Sequence, residues 1–211
     1  MNKQDIKLLL DTEDPVILEI GANNGSDTRQ FLETFELGLF YCFEPDPRAW
    51  AKLNEIKDER CIKFNYAISD KDGYAKFHQS SGRPPGKQFD GIDWDLSGSL
   101  RTPKNHIKVH PWCKFDKQIT VQTMRLDTWA DDFEIDMIDF IWCDTQGAEI
   151  DVIKGGHNTI TKRTRYLYTE YEDQEMYEGQ INLKQILKML PGFDLYKDFG
   201  TDALLVNTRF V

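Results

Sequence analysis

The sequence lacks a hydrophobic run long enough to cross a membrane. A membrane-spanning helix needs about 20 consecutive apolar residues, and the longest apolar runs of this chain, such as residues 39–43, are far shorter. The first residues, Met1 to Asp5, also lack the basic stretch followed by an apolar stretch that marks a secretory signal. Both absences predict a cytoplasmic protein without a membrane segment.

Cysteine and basic charge are scarce as well. The four cysteines are widely spaced and form no CxxC pair, a pattern that favours small buried thiols in a reducing compartment. Asp and Glu outnumber Lys and Arg by 36 to 26, for a net charge of −10. Proteins that bind nucleic acid usually carry a basic surface, so we expect no nucleic-acid partner.

The length and composition that remain are those of one globular domain. A chain of 211 residues can bury one sizeable core. Apolar residues make up 40% of the chain and aromatic residues 12%, which excludes a disordered chain. We therefore predict a single domain over residues 1–211.

Apolar runs alternate with segments of helical spacing along most of the chain. The predicted strands are residues 16–20, 39–43, 62–68, 135–143 and 165–171. Uniformly apolar strands that alternate with helices indicate an α/β fold, with a mostly parallel sheet covered on both faces. Residues 193–196 and 203–207 are predicted to close the sheet as antiparallel strands.

The segment from residue 79 to about 118 has a different character. It is rich in Gly, Pro and Ser with interspersed aromatics, between a predicted hairpin strand at 74–77 and a predicted strand at 119–126. Long loops inside compact domains are usually lids or binding loops, or else poorly ordered, and we expect a lid or substrate loop here. His106 and His110 are four residues apart in it, but Pro111 makes a helix less favourable, so we predict no metal site.

A glycine-containing turn follows the first strand. Gly21 and Gly25 allow sharp turning and close approach of a ligand, and Asn23 and Asn24 tolerate left-handed backbone angles. Such a strand–turn–helix corner is where nucleotide-type ligands bind in α/β proteins. The alternative is a tight corner with no ligand.

Four apolar strands carry an acidic residue at or near their ends: Glu19, Glu44, Asp144 and Glu170. In a parallel sheet these four would lie at one edge. Glu44 ends the second strand roughly 20 residues past the glycine turn, a position suited to accept hydrogen bonds from ribose hydroxyls.

The turn argues against a dinucleotide. The spacing is Gly21-x-x-x-Gly25, Asn23 stands where a dinucleotide site has its middle glycine, and Glu19 would repel a pyrophosphate. S-adenosylmethionine has a ribose, an ammonium group and a sulfonium but no phosphate, so the charges favour it. An NAD-dependent oxidoreductase or epimerase on a similar sheet is the alternative, as is a non-catalytic binding domain of the same fold.

Several segments resemble, in order, the motifs of FkbM-type methyltransferases. They are residues 18–25, 43–47, 67–73, 126–129 and 138–149, with residues 152–156 behind them. The resemblance implies a Rossmann-like class I methyltransferase fold, with a seven-stranded sheet and a reversed last strand. It also implies methyl transfer from S-adenosylmethionine, leaving S-adenosylhomocysteine, commonly to a hydroxyl on a sugar or natural product.

The resemblance further implies roles for individual residues in cofactor binding. The turn would surround the methionine part of the cofactor; its residues are Glu19, Gly21, Ala22, Asn23, Asn24 and Gly25. Glu44, followed by Pro45, would hold the ribose. Ala67 and Ile68 would flank the adenine, and Asp144 would lie beside the reacting methyl group. The chain departs from many family members at Trp142 and Gln146, which indicates an unusual acceptor side.

Methyl transfer to a hydroxyl requires a base. We predict Asp144 first and Glu170 second for this role. The predicted acceptor-binding residues are Gln146, Glu149, Trp94 and His106, although Glu149 is equally suited to the first turn of a helix.

The predicted partner is a small-molecule or glycan acceptor. Tyr166, Tyr168, Tyr171 and Tyr177 are further candidates for a sugar pocket, Tyr166 and Tyr168 being better suited to pack on the sheet. The loop holds several acids and aromatics, namely Asp90, Asp93, Trp94, Asp95 and Trp112. They suit a polyhydroxyl or cationic acceptor better than a phosphorylated one, a weak preference because four basic residues share the loop: Arg83, Lys87, Arg101 and Lys104.

Overall fold

The computed structural model describes residues 1–86 and 93–210, so the predicted loop residues Lys87 and Asp90 lie outside the described part. The helices are α1 (Lys3–Leu10), α2 (Ser26–Thr34), α3 (Pro47–Leu53), α4 (His106–Val109), α5 (Leu126–Asp132), α6 (Glu149–Gly155), α7 (His157–Arg163) and α8 (Leu183–Met189). The strands are β1 (Val16–Ile20), β2 (Leu39–Phe43), β3 (Cys61–Phe64), β4 (Ala67–Ile68), β5 (Gly73–Gly82), β6 (Cys113–Met124), β7 (Ile138–Cys143), β8 (Thr164–Glu170), β9 (Phe193–Asp198) and β10 (Asp202–Asn207).

A seven-stranded sheet forms the centre of the molecule, in the order β3-β2-β1-β7-β8-β10-β9. The pairs from β3 to β8 are parallel, and β10 runs antiparallel to both β8 and β9. This is the predicted mostly parallel sheet with a reversed last strand. Strand order reverses beside β1, because the chain first builds outward through β2 and β3 and later returns through β7. Ligands bind at such a point in open α/β sheets.

Hydrophobic cores cover both faces of the sheet. Alternate residues of β1 point to opposite faces: Leu18 and Ile20 join the core around Trp129, whereas Ile17 joins the core around Phe31 of α2. Burial on both faces explains why the strands are apolar throughout.

A separate three-stranded sheet has the order β4-β6-β5, and its residues Ala67, Ile68 and Phe77 face the carboxyl edge of the main sheet across a cavity. The strand predicted at 62–68 is therefore two strands in different sheets, β3 and β4. The hairpin strands are also longer than predicted: β5 and β6 pair from Gly73↔Thr123 to Gly82↔Cys113. Long cross-strand pairing, invisible in the local apolar pattern, draws both ends of the predicted 79–118 loop into this sheet.

The expectation that no helix forms at the two loop histidines is wrong. Residues His106 to Val109 form α4, and His110 is its C-cap. Pro111 lies just beyond the C-cap, where proline is common because it ends a helix without disturbing it.

The four cysteines are buried free thiols, as predicted. None of the helices in residues 1–86 and 93–210 is long and apolar enough to span a membrane.

Candidate active site

The turn between β1 and α2 lies at the carboxyl edge of the sheet, between the ends of β2 and β7. Gly21 and Ala22 both donate their backbone N–H groups to the carbonyl oxygen of Phe43, at 3.0 Å. Gly21 has a φ of +93°, and a Cβ there would lie 1.9 Å from the backbone oxygen of Asp144. Only glycine satisfies both conditions, so the turn can approach β7 closely.

Glu44 is held at the end of β2 by two backbone N–H groups. Asn23 donates to Oε2 at 2.8 Å and Asp46 donates to Oε1 at 2.6 Å. The side chain is buried, and this desolvation raises the pKa of Glu44 to about 8 in spite of the two hydrogen bonds. Each carboxylate oxygen can accept a second hydrogen bond, so the group can also receive the hydroxyls of a ligand.

A first cavity, of about 410 Å³, opens at this edge. Its wall contains most of the residues predicted to bind the cofactor: Gly21, Ala22, Asn23, Asn24, Glu44, Pro45, Ala67, Ile68 and Asp144. Aromatic and aliphatic side chains that the sequence did not single out complete its apolar surface, among them Phe43, Phe77 and Leu100. Phe77 lies on β5, so the small sheet supplies part of the wall.

The structure places Glu19 and Gly25 away from this wall. Glu19 shares the face of Ile17 and lies under α2, where Thr28 Oγ1 donates to it at 2.5 Å and Cys42 Sγ lies at 3.6 Å. Burial raises the pKa of Glu19 to about 8. Side chains of a strand alternate between its two faces, so Glu19 points to the face opposite that of Leu18 and Ile20. This alternation could have been predicted from the sequence. At Gly25, whose φ is +77°, a Cβ would meet Leu53 and Ile56.

The described wall of the first cavity is acidic. It contains five carboxylates and no Lys or Arg: Asp27, Glu44, Asp46, Asp95 and Asp144. Three of them form ion pairs with side chains beyond the wall, in the pairs Lys3–Asp27, Arg48–Asp46 and Lys52–Asp95. Glu44 and Asp144 form none among the described residues. Such a wall suits a ligand with positive charge and a ribose, and opposes a pyrophosphate.

Asp144 belongs to a second group of polar residues at the ends of β7 and β8. Gln146 Nε2 donates to Asp144 Oδ1 at 2.7 Å and to Glu170 Oε2 at 3.1 Å. Asp144 is deep among protein atoms but open to the first cavity. Desolvation, followed by the charges around them, raises the pKa of Asp144 and raises that of Glu170 well above its usual range.

Glu149 occupies the first turn of α6 and faces neither cavity among the described wall residues. Its Oε1 accepts from Thr145 N at 2.9 Å and from Thr145 Oγ1 at 2.8 Å. The structure therefore places Glu149 in the first turn of α6, the position of its alternative interpretation, where its carboxylate holds the turn that leads from β7 into the helix.

A second cavity, of about 330 Å³, adjoins the first. It brings together Trp94, His106 and Glu170 from the prediction with residues that the sequence indicated weakly or not at all, including Trp112, Glu172, Met176 and Tyr177. Leu96 and Gln146 line both cavities. Tyr166 and Tyr168 instead pack in a core of the main sheet.

The family model described as "Methyltransferase FkbM domain" matches residues 19–200 of this chain. The chain belongs to the FkbM methyltransferase family. A similar curated protein is 2-O-methyltransferase NoeI of Sinorhizobium fredii (strain NBRC 101917 / NGR234), 49% identical over 212 residues, or 98% of this chain and 85% of the relative.

Two solved structures have a similar fold. The fibrillarin pre-rRNA processing protein of Methanococcus jannaschii matches with a TM-score of 0.50 and 13% identity, over 93% of this chain and 68% of that one. The plantazolicin methyltransferase BpumL, solved with a desmethylPZN analogue and S-adenosylhomocysteine, matches with a TM-score of 0.50 and 9% identity, over 98% and 81%. At these identities the likeness shows the fold alone.

Family membership confirms the predicted methyltransferase and its cofactor, S-adenosylmethionine, over the dinucleotide alternative. The first cavity of this FkbM methyltransferase fits that cofactor, because its unpaired carboxylates and apolar surfaces match a cation joined to a nucleoside. No group of three or more His, Cys, Asp or Glu among the described residues is arranged to hold a metal ion.

Proposed function

We propose that this FkbM methyltransferase transfers the methyl group of S-adenosylmethionine to a hydroxyl oxygen of a sugar or similar polyhydroxyl acceptor. The observation that carries the proposal is the junction of the two cavities, where Gln146 joins Asp144 to Glu170. The name of the relative NoeI, a 2-O-methyltransferase at 49% identity, supports transfer to oxygen.

The first cavity would hold the cofactor through residues of β4 and residues that follow β1, β2 and β7. Glu44 would accept the ribose hydroxyls, Ala67 and Ile68 would flank the adenine, and the turn from Gly21 would surround the methionine part. When bound, S-adenosylmethionine supplies a methyl group attached to a positively charged sulfur. Asp144 would face that charge from the end of β7, which favours binding of the charged cofactor over its neutral product.

The acceptor hydroxyl must lose a proton when its oxygen takes the methyl group. We assign this proton to the carboxyl pair of Asp144 and Glu170, with Asp144 as the first choice. Gln146 donates to both carboxylates and so fixes their orientation. Because burial raises the pKa values of both groups, the pair takes up a proton more readily than an ordinary carboxylate does, as a general base requires.

The test has a binding part and a transfer part. Calorimetry should detect binding of S-adenosylhomocysteine and no binding of NAD. In the transfer assay, methyl-labelled S-adenosylmethionine should label hydroxyl-rich acceptors from a panel of sugars. Asp144→Asn should lower the rate of labelling by about 10²–10⁴-fold, whereas Glu33→Gln, an exposed change on α2, should leave it unchanged. Cofactor binding without transfer to any acceptor would favour the non-catalytic alternative, and transfer only to nitrogen or carbon would overturn the hydroxyl assignment.

A further inference from the structure

The second cavity has the position that an acceptor site requires. Its wall shares Gln146 and Leu96 with the first cavity, and Glu170 faces it while Asp144 faces the first. Its volume of about 330 Å³ lies in the range of about 300–1,000 Å³ in which proteins hold small molecules.

Tyr177 fixes the boundary between the two cavities. Its hydroxyl lies 2.9 Å from the carbonyl oxygen of Ser97, to which it donates, and 3.4 Å from Gln146 Oε1. The side chain is buried, and Gly147, whose φ is +90°, leaves room for its ring, because a Cβ there would meet the ring at 2.8 Å. The loop that carries Ser97 is thereby held over the junction.

Aromatic rings form part of the wall of the second cavity. Trp94 and Trp112 meet edge to face with centroids 5.0 Å apart, and Trp94 Nε1 donates to Ser97 Oγ at 2.9 Å. Indole rings offer a large, rigid apolar surface with a polar edge. A surface of this kind can pack against the C–H face of a sugar ring while polar groups of the wall receive its hydroxyls.

The polar groups of the wall include carboxyl groups, amides, hydroxyls and imidazoles. The described wall contains Glu170, Glu172, His106 and His110 and no Lys or Arg. Burial lowers the pKa of His106 to about 4, so its ring is neutral at physiological pH, and its Nδ1 has no hydrogen-bond partner among the described residues. A phosphate placed here would face the carboxyl groups of Glu170 and Glu172, and the described wall offers it no Lys or Arg.

We propose that the second cavity binds the acceptor as an uncharged, hydroxyl-rich ring, stacked on the Trp94–Trp112 pair with its reacting hydroxyl directed to Gln146. This inference rests on the proposed function, and it adds the place where the acceptor binds and the exclusion of phosphorylated sugars.

The first experiment measures binding without turnover. Neutral methyl glycosides are titrated into the protein saturated with S-adenosylhomocysteine, and tryptophan fluorescence is followed. We expect a saturable change, a Kd at least tenfold weaker in Trp112→Leu, and the same S-adenosylhomocysteine affinity in both proteins, which shows that the variant is folded. Glu44→Gln is the matched control, since it should weaken the binding of S-adenosylhomocysteine and leave the affinity for the glycoside unchanged.

The second experiment uses charge. Among acceptors of the same sugar, the unphosphorylated form should have a kcat/KM at least tenfold above that of the phosphorylated form. Glu172→Lys should shift this ratio toward the phosphorylated form, because it adds a cation to the wall.

The outcomes separate this inference from the proposed function. Methyl transfer with a KM for the acceptor that Trp112→Leu and Glu172→Lys leave unchanged would overturn the acceptor site alone. A saturable fluorescence change whose Kd is at least tenfold weaker in Trp112→Leu, without transfer of a methyl group to any hydroxyl, would support the site and overturn the proposed function. Absence of any saturable change with every glycoside would overturn the acceptor site.

Discussion

The backbone N–H of Asn23 donates to Oε2 of Glu44 across 2.8 Å, and so joins the turn after β1 to the end of β2. Asn23 has a positive φ of 46°, which points its amide toward the neighbouring strand end. The turn thus orients the carboxylate that we assign to the ribose before any cofactor binds. Such preorganisation reduces the entropic cost of binding.

Above pH 8, where Glu44 with its pKa of about 8 is ionised, Glu44→Gln should weaken the binding of S-adenosylhomocysteine at least about tenfold. The amide removes one acceptor oxygen, and a hydrogen bond to a charged group contributes about 1.5–3 kcal/mol, where about 1.4 kcal/mol corresponds to a factor of ten. Calorimetry measures the change. Glu172→Gln, the same substitution in the second cavity, should leave this affinity as it is; equal affinities in all three proteins would remove Glu44 from the ribose.

Cofactor binding should become tighter as the pH rises from 6 to 8. In the protein without ligand the pKa of Glu44 is about 8, so the carboxyl is largely protonated at pH 7, whereas ribose hydroxyls donate best to the ionised form. The affinity should rise by up to about tenfold per pH unit below the pKa and level off above it. Calorimetry in two buffers should detect proton release at pH 7, and an affinity that falls with rising pH would contradict this prediction.

Asp144→Asn should lower kcat by about 10²–10⁴-fold, the usual contribution of a general base. The affinity for S-adenosylhomocysteine, which carries no sulfonium charge, should change much less. In the wild-type protein kcat should rise with pH as the pair loses its proton. Glu170→Gln is the companion variant, and the base is the residue whose replacement removes this rise. If both variants kept the kcat of the wild-type protein, neither Asp144 nor Glu170 would take part in proton transfer.

Gly21→Ala should destabilise the fold more than Gly200→Ala. Both glycines have a positive φ, of 93° and 98°, but a Cβ at Gly21 would meet the backbone of Asp144 and a Cβ at Gly200 would meet nothing within 4 Å. In the control, Gly200→Ala, only the strain of an alanine at positive φ lowers the free energy of unfolding, by about 1–2 kcal/mol. Urea unfolding should show at least about 2 kcal/mol of further loss in Gly21→Ala; equal losses would mean that the turn does not need its close contact with β7.

Glu19 should make the protein less stable as the pH rises. Its pKa is about 8 in the folded protein against 4.5 for an ordinary glutamate, so between these values the folded state holds a proton that the unfolded state has lost. The contribution of Glu19 to the free energy of unfolding is complete below pH 4.5. It declines by up to about 1.4 kcal/mol per pH unit toward pH 8. Glu19→Gln should flatten the dependence of the unfolding free energy on pH, and Glu33→Gln should not.

Much of the fold could be predicted because its signals are local. The apolar runs of β1, β2, β7 and β8 and the turn residues after them are written in short stretches of chain. Two local signals were misjudged: the period of the strand turns Glu19 toward α2, and Pro111 follows α4 without preventing it. The length of β5 and β6 had no local signal, since it depends on their pairing with each other.

The sequence by itself determined the strand–turn–helix corner, the acidic strand ends and the resemblance to the FkbM family, because each is a matter of residue type and spacing. Only the tertiary structure decided which side chains meet. Gln146 contacts Glu170 and Tyr177, and the second cavity joins residues near 94–112 with residues 170–180. Sheet order and the loop packed above it create these contacts between distant parts of the chain, and no local pattern encodes them.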